Sequence, residues 1–256
     1  MSMYPRGTVD MALVLSDADV LDRETALICG VSIGAIRHWR YGNRRSGTSN
    51  GKARSVCPRC DGRTLDGPAY AYLLGLYLGD GNITRGRRDV YALNVACCDA
   101  WPGLMTAARQ AIVAVMPSNK VFAVRKVGCT LLKSTSKHWP CLFPQHGPGR
   151  KHTRRIALEP WQDALVGAFP GDFVRGLFHS DGCRCTNRVR RRCSDGDRWY
   201  AYPRYFFSNE SADILGLCAV ALDNLEISWR FSRRNVISVA RREAVSRLDE
   251  LVGPKS

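Results

Sequence analysis

The chain has 256 residues, 45% of them hydrophobic, which is enough to bury a sizeable core. Its 38 Lys and Arg against 23 Asp and Glu give a formal charge of +15, which favours a polyanionic partner such as nucleic acid over a merely solvated basic surface. The absence of any transmembrane-length apolar run or signal peptide pattern argues against membrane and secreted proteins, so we expect a cytoplasmic protein, nucleoid-associated in a prokaryote, whose eleven cysteines stay reduced.

Residues 1–46 are predicted to form a small helical domain. Helices are expected over residues 8–15, 22–29 and 33–41, with a turn at Gly30 and N-caps at Asp22 and Ser32. This pattern resembles a helix-turn-helix in which Ala26, Val31 and Ile36 pack inside. The basic residues would then contact DNA, through Arg37, His38 and Arg40 on the third helix and Arg44 and Arg45 after it. The alternative is a helical hairpin that serves only packing.

Residues 47–66 are predicted to be a linker that contains a CxxC knuckle at Cys57 and Cys60. Two cysteines at this spacing supply half of a tetrahedral structural zinc site. The sequence does not choose the remaining ligands, for which the candidates are Cys183, Cys185, Cys193, His138, Cys141 and His146. The alternative is a turn with reduced thiols and no zinc.

A nine-residue stretch at 73–81 has a second copy at 174–182, and the same separation joins Gly75 to Gly176 and Asp80 to Asp181. Each copy predicts a buried helix whose small residues, four positions apart, let the two helices approach closely. Gly81 and Gly182 are predicted to take the left-handed conformation after each helix. Two carboxylates at the same end of such a helix pair favour binding of a cation, for which Mg²⁺ is suited.

The remaining segments repeat in the same order after each acid. The first half has a basic hairpin with Arg85, Arg87 and Arg88, then a strand (90–96), a helix (101–115), two strands (121–125, 129–134), a Pro/Gly-rich loop (138–150) and a helix (161–169). The second half has a long basic loop, a strand (202–207), a helix (211–222), two strands (229–232, 235–240) and a helix (242–251). The arginines of that loop are Arg184, Arg188, Arg190, Arg191, Arg192 and Arg198. We therefore predict an α+β fold with two repeats, at residues 67–160 and 161–256.

The paired motifs resemble the LAGLIDADG family of homing endonucleases, in its two-repeat, single-chain form. The residues that carry the resemblance are Gly75, Leu76, Asp80 and Gly81 in the first copy and Gly176, Leu177, Asp181 and Gly182 in the second. The resemblance implies two αββαββα halves, a monomer with internal pseudo-two-fold symmetry, and sheets that enter the major groove of double-stranded DNA. It also implies Mg²⁺-dependent hydrolysis of a phosphodiester, with Asp80 and Asp181 each serving one strand.

The family also tends to carry a basic residue near each acid that orients or polarises the attacking water. In the first half Lys151 is the candidate, with Lys133 and Lys137 as rivals, and in the second half Arg241 or Arg242 would have to substitute for a lysine. His179 is expected to be a hydrogen-bonded histidine at the helix seam rather than a catalytic base.

Three functions remain open on the sequence alone. The first is a site-specific DNA endonuclease. The second is a non-cleaving DNA-binding transcriptional regulator on the same scaffold, which the added N-terminal domain favours. The third is an RNA-splicing helper. Asp80 and Asp181 favour the endonuclease, because both acids of the family are present.

Overall fold

The computed structural model describes residues 4–41, 57–194, 196–253 and 255. Its backbone contacts divide the chain into two compact units, residues 1–54 and residues 55–256. Among the described residues, no helix is both long enough and apolar enough to cross a membrane.

The described part of the N-terminal unit, residues 4–41, contains three helices, α1 (Arg6–Asp17), α2 (Asp22–Cys29) and α3 (Ile33–Tyr41). Their apolar faces form a small core that includes Val9, Ala12, Leu13, Ala26, Ile36 and Trp39, with Val31 packed against it. Gly30 has a φ of +61°, so the turn between α2 and α3 uses the left-handed region that glycine adopts readily. Ser32 caps α3 as predicted, because its Oγ accepts a hydrogen bond from the Ala35 amide at 3.2 Å.

The prediction that Asp22 caps α2 is wrong, because Asp22 lies inside the first turn of that helix. Its carboxylate instead accepts hydrogen bonds from Arg37 Nε at 3.3 Å and Arg40 Nη1 at 2.8 Å on α3. These ion pairs hold the pKa of Asp22 below its usual value. Asp22 was expected to accept a hydrogen bond from a backbone amide of α2, but its carboxylate instead links α2 to α3.

The larger unit contains two repeats with the same order of elements. The first runs α4 (Gly67–Leu78), β1 (Gly81–Arg85), β2 (Tyr91–Cys98), α5 (Pro102–Val115), β3 (Val121–Lys126), β4 (Cys129–Ser136) and α6 (Trp139–Leu142). After the connecting helix α7 (Pro160–Ala168), the second runs α8 (Pro170–Asp181), β5 (Gly182–Cys193), β6 (Gly196–Ser208), α9 (Ala212–Asn224), β7 (Arg230–Arg233), β8 (Val236–Val239) and α10 (Arg242–Val252). Both repeats are αββαββα, as predicted.

Each repeat forms one four-stranded antiparallel sheet. The strand orders, β1-β2-β4-β3 and β5-β6-β8-β7, have the same topology. One face of each sheet packs against the helices, through residues such as Leu93, Val95, Phe207 and Ile237 that are fully buried. We call the opposite face the open face. It carries the row Asn82, Asn94, Lys133, Phe122 in the first sheet and the row Cys183, Phe206, Ser238, Arg230 in the second.

The basic segment after Asp181 is a strand rather than the predicted loop. β5 pairs with β6 along its whole length, from Gly182 opposite Phe207 to Cys193 opposite Gly196. The segment contains few apolar residues, so local hydrophobic alternation does not identify it as a strand. Its pairing depends on β6, which carries the β-favouring aromatic residues Trp199, Tyr200, Tyr202 and Tyr205.

The two long central helices, α4 and α8, pack side by side and hold the two repeats together. α4 begins with an Asp66 cap that accepts from the Ala69 amide at 3.0 Å, followed by Pro68 in the first turn. Almost all of its residues are buried, which explains why the sequence is apolar on every side of the helix. Sheets and flanking helices therefore surround a core centred on this helix pair.

Candidate active site

The small residues of the repeated motif are required by the close approach of α4 and α8. A Cβ built on Gly75 would lie 2.5 Å from the Phe173 carbonyl oxygen, and one built on Gly176 would overlap the Tyr72 carbonyl oxygen. Both obstacles are backbone atoms of the opposite helix, which cannot move aside as a flexible side chain could. The predicted helix contact is confirmed, and it brings the C-terminal ends of both helices to the same place.

The two glycines after the acids have a different role from the predicted one. Neither Gly81 nor Gly182 is among the glycines with positive φ, and Gly182 is extended, with a φ of −92°. A Cβ at Gly81 would lie 2.5 Å from Tyr77 Cα, and one at Gly182 would lie 2.6 Å from Phe178 Cα. Because glycine has no side chain, the backbone can pass close to the preceding helix where it enters β1 or β5. The prediction of a left-handed cap at these two glycines is wrong.

Asp80 and Asp181 lie where these helices end. Asp181 is the last residue of α8 and accepts a hydrogen bond from Asn209 Nδ2 at 2.6 Å, whereas Asp80 follows α4 and is more exposed. Loss of hydration raises the pKa of both carboxyls, and the negative charge of Asp181 raises that of Asp80 further. Two acids that disfavour each other's ionisation, in a donor set of oxygen atoms, fit a hard divalent cation.

Lys151 lies at the end of α4, directly beside the acids. Its Nζ donates to the carbonyl oxygens of Tyr77 at 2.5 Å, Gly79 at 2.6 Å and Gly81 at 2.9 Å. Burial lowers its pKa to about 8, although the charges of Asp181 and Asp80 oppose this shift. An ammonium group has three protons, so these three carbonyls use all of them and complement the negative end of the helix dipole.

Lys255 occupies the corresponding position in the second half, and the sequence prediction missed it. Its Nζ donates to the Gly182 carbonyl at 2.5 Å, which matches the bond from Lys151 to Gly81. Burial lowers its pKa, while Asp80 and Asp181 favour its charged form. The spacing from Asp80 to Lys151 was the available signal, because a similar spacing from Asp181 leads to Lys255.

The other predicted basic candidates lie elsewhere. Lys133 is on the open face of β4, opposite Asn94 and Phe122, and Lys137 follows that strand. In the second half, Arg241 donates to Ser228 Oγ at 3.3 Å, and Arg242 is the exposed first residue of α10. Among the described residues, Lys151 and Lys255 are the lysines whose charges bear on both Asp80 and Asp181.

His179 is a buried structural residue, as predicted. Its Nε2 donates to the Val252 carbonyl at 2.9 Å, and its Nδ1 accepts from the Tyr72 hydroxyl, also at 2.9 Å. Burial lowers its pKa to about 4, so the imidazole is neutral at pH 7. The histidine, which is part of α8, thereby links α4 to the end of α10. The last residue of α10, Val252, lies three residues before Lys255.

Two clefts lie near the ends of α4 and α8, and Asp181 lines the larger of them. The larger, about 1150 Å³, is lined by Asn82, Lys151, Asp181 and Asn209 among others. The smaller, about 410 Å³, is lined by Trp101, Gly182, Cys183 and Lys255 among others. Each lysine therefore lines one cleft, which gives the site an approximate two-fold arrangement with unequal sides.

The predicted DNA-contacting arginines differ in where they lie. Three of them, Arg184, Arg188 and Arg190, lie on the same face of β5 as Gly182, which is the face that packs against the helices. Arg184 donates to Asp249 through Nε at 2.7 Å and Nη2 at 3.0 Å. Arg190 pairs with Asp197, and Arg85 pairs with Asp89. Arg87 and Arg88 lie exposed between β1 and β2. The open face of the second sheet carries four further arginines, Arg191 and Arg198 from the segment predicted as a basic loop, Arg204 on β6 and Arg230 on β7.

In the N-terminal unit, Arg37 and His38 are exposed on α3, whereas Arg40 is half-buried against Asp22. The predicted phosphate contacts Arg44 and Arg45 lie outside the described residues.

Of the candidate partners for Cys57 and Cys60, the structure brings His138 and Cys141 to the knuckle.

Comparison with known proteins finds similar structures at low sequence identity. No family model and no curated protein matches this sequence. Similar structures include the LAGLIDADG meganuclease I-AabMI bound to uncleaved DNA, with 12% identity over 71% of this chain and 82% of that one and a TM-score of 0.46. I-DmoI in complex with DNA and Ca is 16% identical over 73% of this chain and 91% of that one, with a TM-score of 0.44.

Full-length DUF199/WhiA from Thermatoga maritima is also similar, with 16% identity over 73% of this chain and 55% of that one and a TM-score of 0.45. Identities and TM-scores this low concern the fold and do not distinguish one activity from another. The function of this chain therefore has to be argued from its own site.

Proposed function

We propose that this protein is a site-specific, metal-dependent endonuclease of double-stranded DNA. The observation that carries the proposal is the pair Asp80 and Asp181 at the end of the helix seam, with Lys151 and Lys255 beside them. A non-cleaving protein has no need to keep two carboxylates at the cost of their mutual repulsion. Lys255 also removes the strongest argument against cleavage of the second strand, namely the apparent lack of a second lysine.

Asp80 and Asp181 would hold Mg²⁺, which would supply an activated water and charge stabilisation for in-line displacement at phosphorus. Asn209 orients the Asp181 carboxylate through its 2.6 Å hydrogen bond. Among the described residues Lys255 donates to the Gly182 carbonyl alone, so its other two protons can contact a phosphate or water in the smaller cleft. Lys151 fixes the end of α4, and has to release a carbonyl before it can contact a reacting group.

The open faces of the two sheets are the proposed DNA surface. They carry Lys133 in the first sheet and Arg191, Arg198, Arg204 and Arg230 in the second, together with the exposed polar side chain of Asn82. A two-stranded ribbon such as β5–β6 fits the major groove, where lysine and arginine neutralise phosphates or bind guanine edges. One chain supplies both acids and both sheets, so we propose that it acts as a monomer.

The main alternative is a DNA-binding regulator without nuclease activity. The observation in its favour is the N-terminal three-helix unit, in which the left-handed turn at Gly30 precedes α3 with Arg37 and His38 exposed. This unit is suited to a helix-turn-helix role in either function, because a nuclease also gains specificity from an extra DNA-binding unit.

The test is cleavage of a randomised DNA duplex library in Mg²⁺ by the wild type and by the variants Asp80→Asn and Asp181→Asn. We expect the wild type to cut both strands at one long site, and each single variant to nick one strand. Specific retention of a duplex without any cut, unchanged by either substitution, would instead identify a regulator.

A further inference from the structure

Four side chains with metal-binding atoms meet beside the first repeat, although two of them are about eighty residues from the others in the chain. They are Cys57, Cys60, His138 and Cys141, and their ligand atoms all lie within 4.8 Å of one another. Cys60 Sγ is 3.6 Å from Cys141 Sγ, which is 3.9 Å from His138 Nδ1. A tetrahedral zinc ion with bonds of about 2.3 Å to sulfur and about 2.0 Å to nitrogen separates its ligands by roughly 3.5–3.8 Å. The two individual distances are close to that geometry, and the 4.8 Å limit for all pairs means that a bound ion would draw the ligands together by at most about 1 Å.

The first half of the cluster is a turn held by its own backbone. The Cys57 amide donates to Asp61 Oδ2 at 2.8 Å, and the Asp61 amide donates back to the Cys57 carbonyl at 2.9 Å. These two hydrogen bonds fix the backbone that carries the cysteines, as the outer contacts of a metal site do. The Arg59 guanidinium lies 4.5 Å from the ring centre of Trp161, which fixes the turn against α7.

The second half of the cluster is the short helix α6 and the residue before it. Four residues cannot form a stable helix by themselves, so α6 needs anchors. Trp139 Nε1 donates to the Ser134 carbonyl at 2.9 Å, and the Tyr70 hydroxyl donates to the Leu142 carbonyl at 2.6 Å. These contacts place His138 and Cys141 in position opposite the turn without help from a metal.

We propose that Cys57, Cys60, His138 and Cys141 bind one structural Zn²⁺. Four protein ligands close the coordination sphere and leave no position for a substrate, which separates this site from the carboxylate site in chemistry and in place. The ion connects the segment before α4 to α6, the helix that precedes Lys151 in the chain. The competing state is a disulfide between Cys60 and Cys141, whose sulfurs are 3.6 Å apart and would need to approach to about 2.05 Å.

The test is the metal content of the full-length protein, purified from zinc-containing medium and dialysed without chelator. We expect about one zinc per chain in the wild type and in the control Cys98→Ser, because Cys98 is an exposed cysteine outside the cluster. Cys60→Ser and Cys141→Ser should bind zinc at least about tenfold more weakly in a chelator competition. Replacing zinc by Co²⁺ in the wild type should give the absorption bands of a tetrahedral thiolate site, a readout that needs no variant.

A chelator should also lower the midpoint of thermal unfolding of the wild type, and re-addition of zinc should restore it. Folded wild-type protein that contains no zinc, gives no thiolate-cobalt bands and is unaffected by chelator would overturn the proposal. So would protein that, alkylated without prior reduction, lacks two of the alkyl groups that the reduced protein gains, with a peptide mass that joins Cys60 to Cys141. Neither result depends on whether the protein cleaves DNA.

Discussion

At the scale of single residues, the two lysines beside the acids have the same position but different numbers of hydrogen bonds. Lys151 donates to three carbonyl oxygens at the end of α4, whereas Lys255 donates to Gly182 alone among the described residues. The pKa of each is lowered by burial. Lys151 therefore contributes more to the folded structure, and Lys255 has more capacity to act on a bound phosphate.

We predict that Lys151→Met and Lys255→Met separate these roles. Lys151→Met leaves three carbonyls without a donor, which should lower the free energy of unfolding by about 3 kcal/mol, against about 1 kcal/mol for Lys255→Met. Lys255→Met should slow cleavage of one strand by more than its effect on stability explains. Urea unfolding and strand-specific cleavage rates measure the two effects, and equal loss of stability in both variants would contradict the assignment.

How much of this site the sequence predicts depends on how local its signals are. The repeated motif predicts Asp80, Asp181 and the glycine contacts, because spacing alone places them on paired helices. Lys255 was missed because its contact with Gly182 depends on how α10 ends against His179, a tertiary arrangement without local signal. Gly81 and Gly182 were assigned the wrong conformation because a glycine after a helix serves close packing as readily as a left-handed turn.

At the scale of the element, strand β5 shows the limit of sequence-based prediction most clearly. Its arginines favour a solvated loop, yet pairing with β6 makes it a strand and gives each arginine a face. Arg184 is on the helix-packed face, bound to Asp249, which also accepts from the Tyr205 hydroxyl at 2.7 Å. Arg191 is on the open face and exposed. A sequence gives the charges, but only the pairing register assigns them to faces.

We therefore expect Arg184→Ala and Arg191→Ala to differ. Arg184→Ala should lower the free energy of unfolding by about 1 kcal/mol, because it leaves Asp249 without its ionic partner at the base of the hairpin. Arg191→Ala should leave stability unchanged and weaken DNA binding. The slope of the logarithm of the DNA association constant against the logarithm of salt concentration should fall by about one, the value for one lost phosphate contact.

Binding titrations at several salt concentrations, beside thermal unfolding of both variants, provide the measurement. The DNA surface assigned to the open face would be wrong if Arg184→Ala lost the salt-dependent contact while Arg191→Ala kept it.

At the scale of the whole molecule, the seam between α4 and α8 determines both stability and chemistry. It joins two repeats that each have their own sheet, and it sets the relative position of Asp80 and Asp181. Gly75 and Gly176 permit this contact, since a Cβ at either position would meet backbone of the opposite helix. Any substitution that separates the helices should therefore move the two acids apart as well as expose core surface.

The last prediction compares Gly176→Ala with Gly216→Ala as a matched control. Both glycines are inside helices of the second repeat, but a Cβ at Gly216 would meet nothing within 4 Å. Because alanine is the better helix former, Gly216→Ala should raise the free energy of unfolding by about 0.5–1 kcal/mol. Gly176→Ala should lower it by about 1–3 kcal/mol through overpacking at the seam.

Gly176→Ala should also slow cleavage of both strands, because the seam positions both acids, while Gly216→Ala should cleave at the wild-type rate. Urea unfolding and strand-specific cleavage of the two variants test this together. If Gly176→Ala were as stable and as active as Gly216→Ala, the helices could not be in the contact that the structure shows. The two carboxylates would then have no common seam to hold them, and the proposed nuclease site would lose its physical basis.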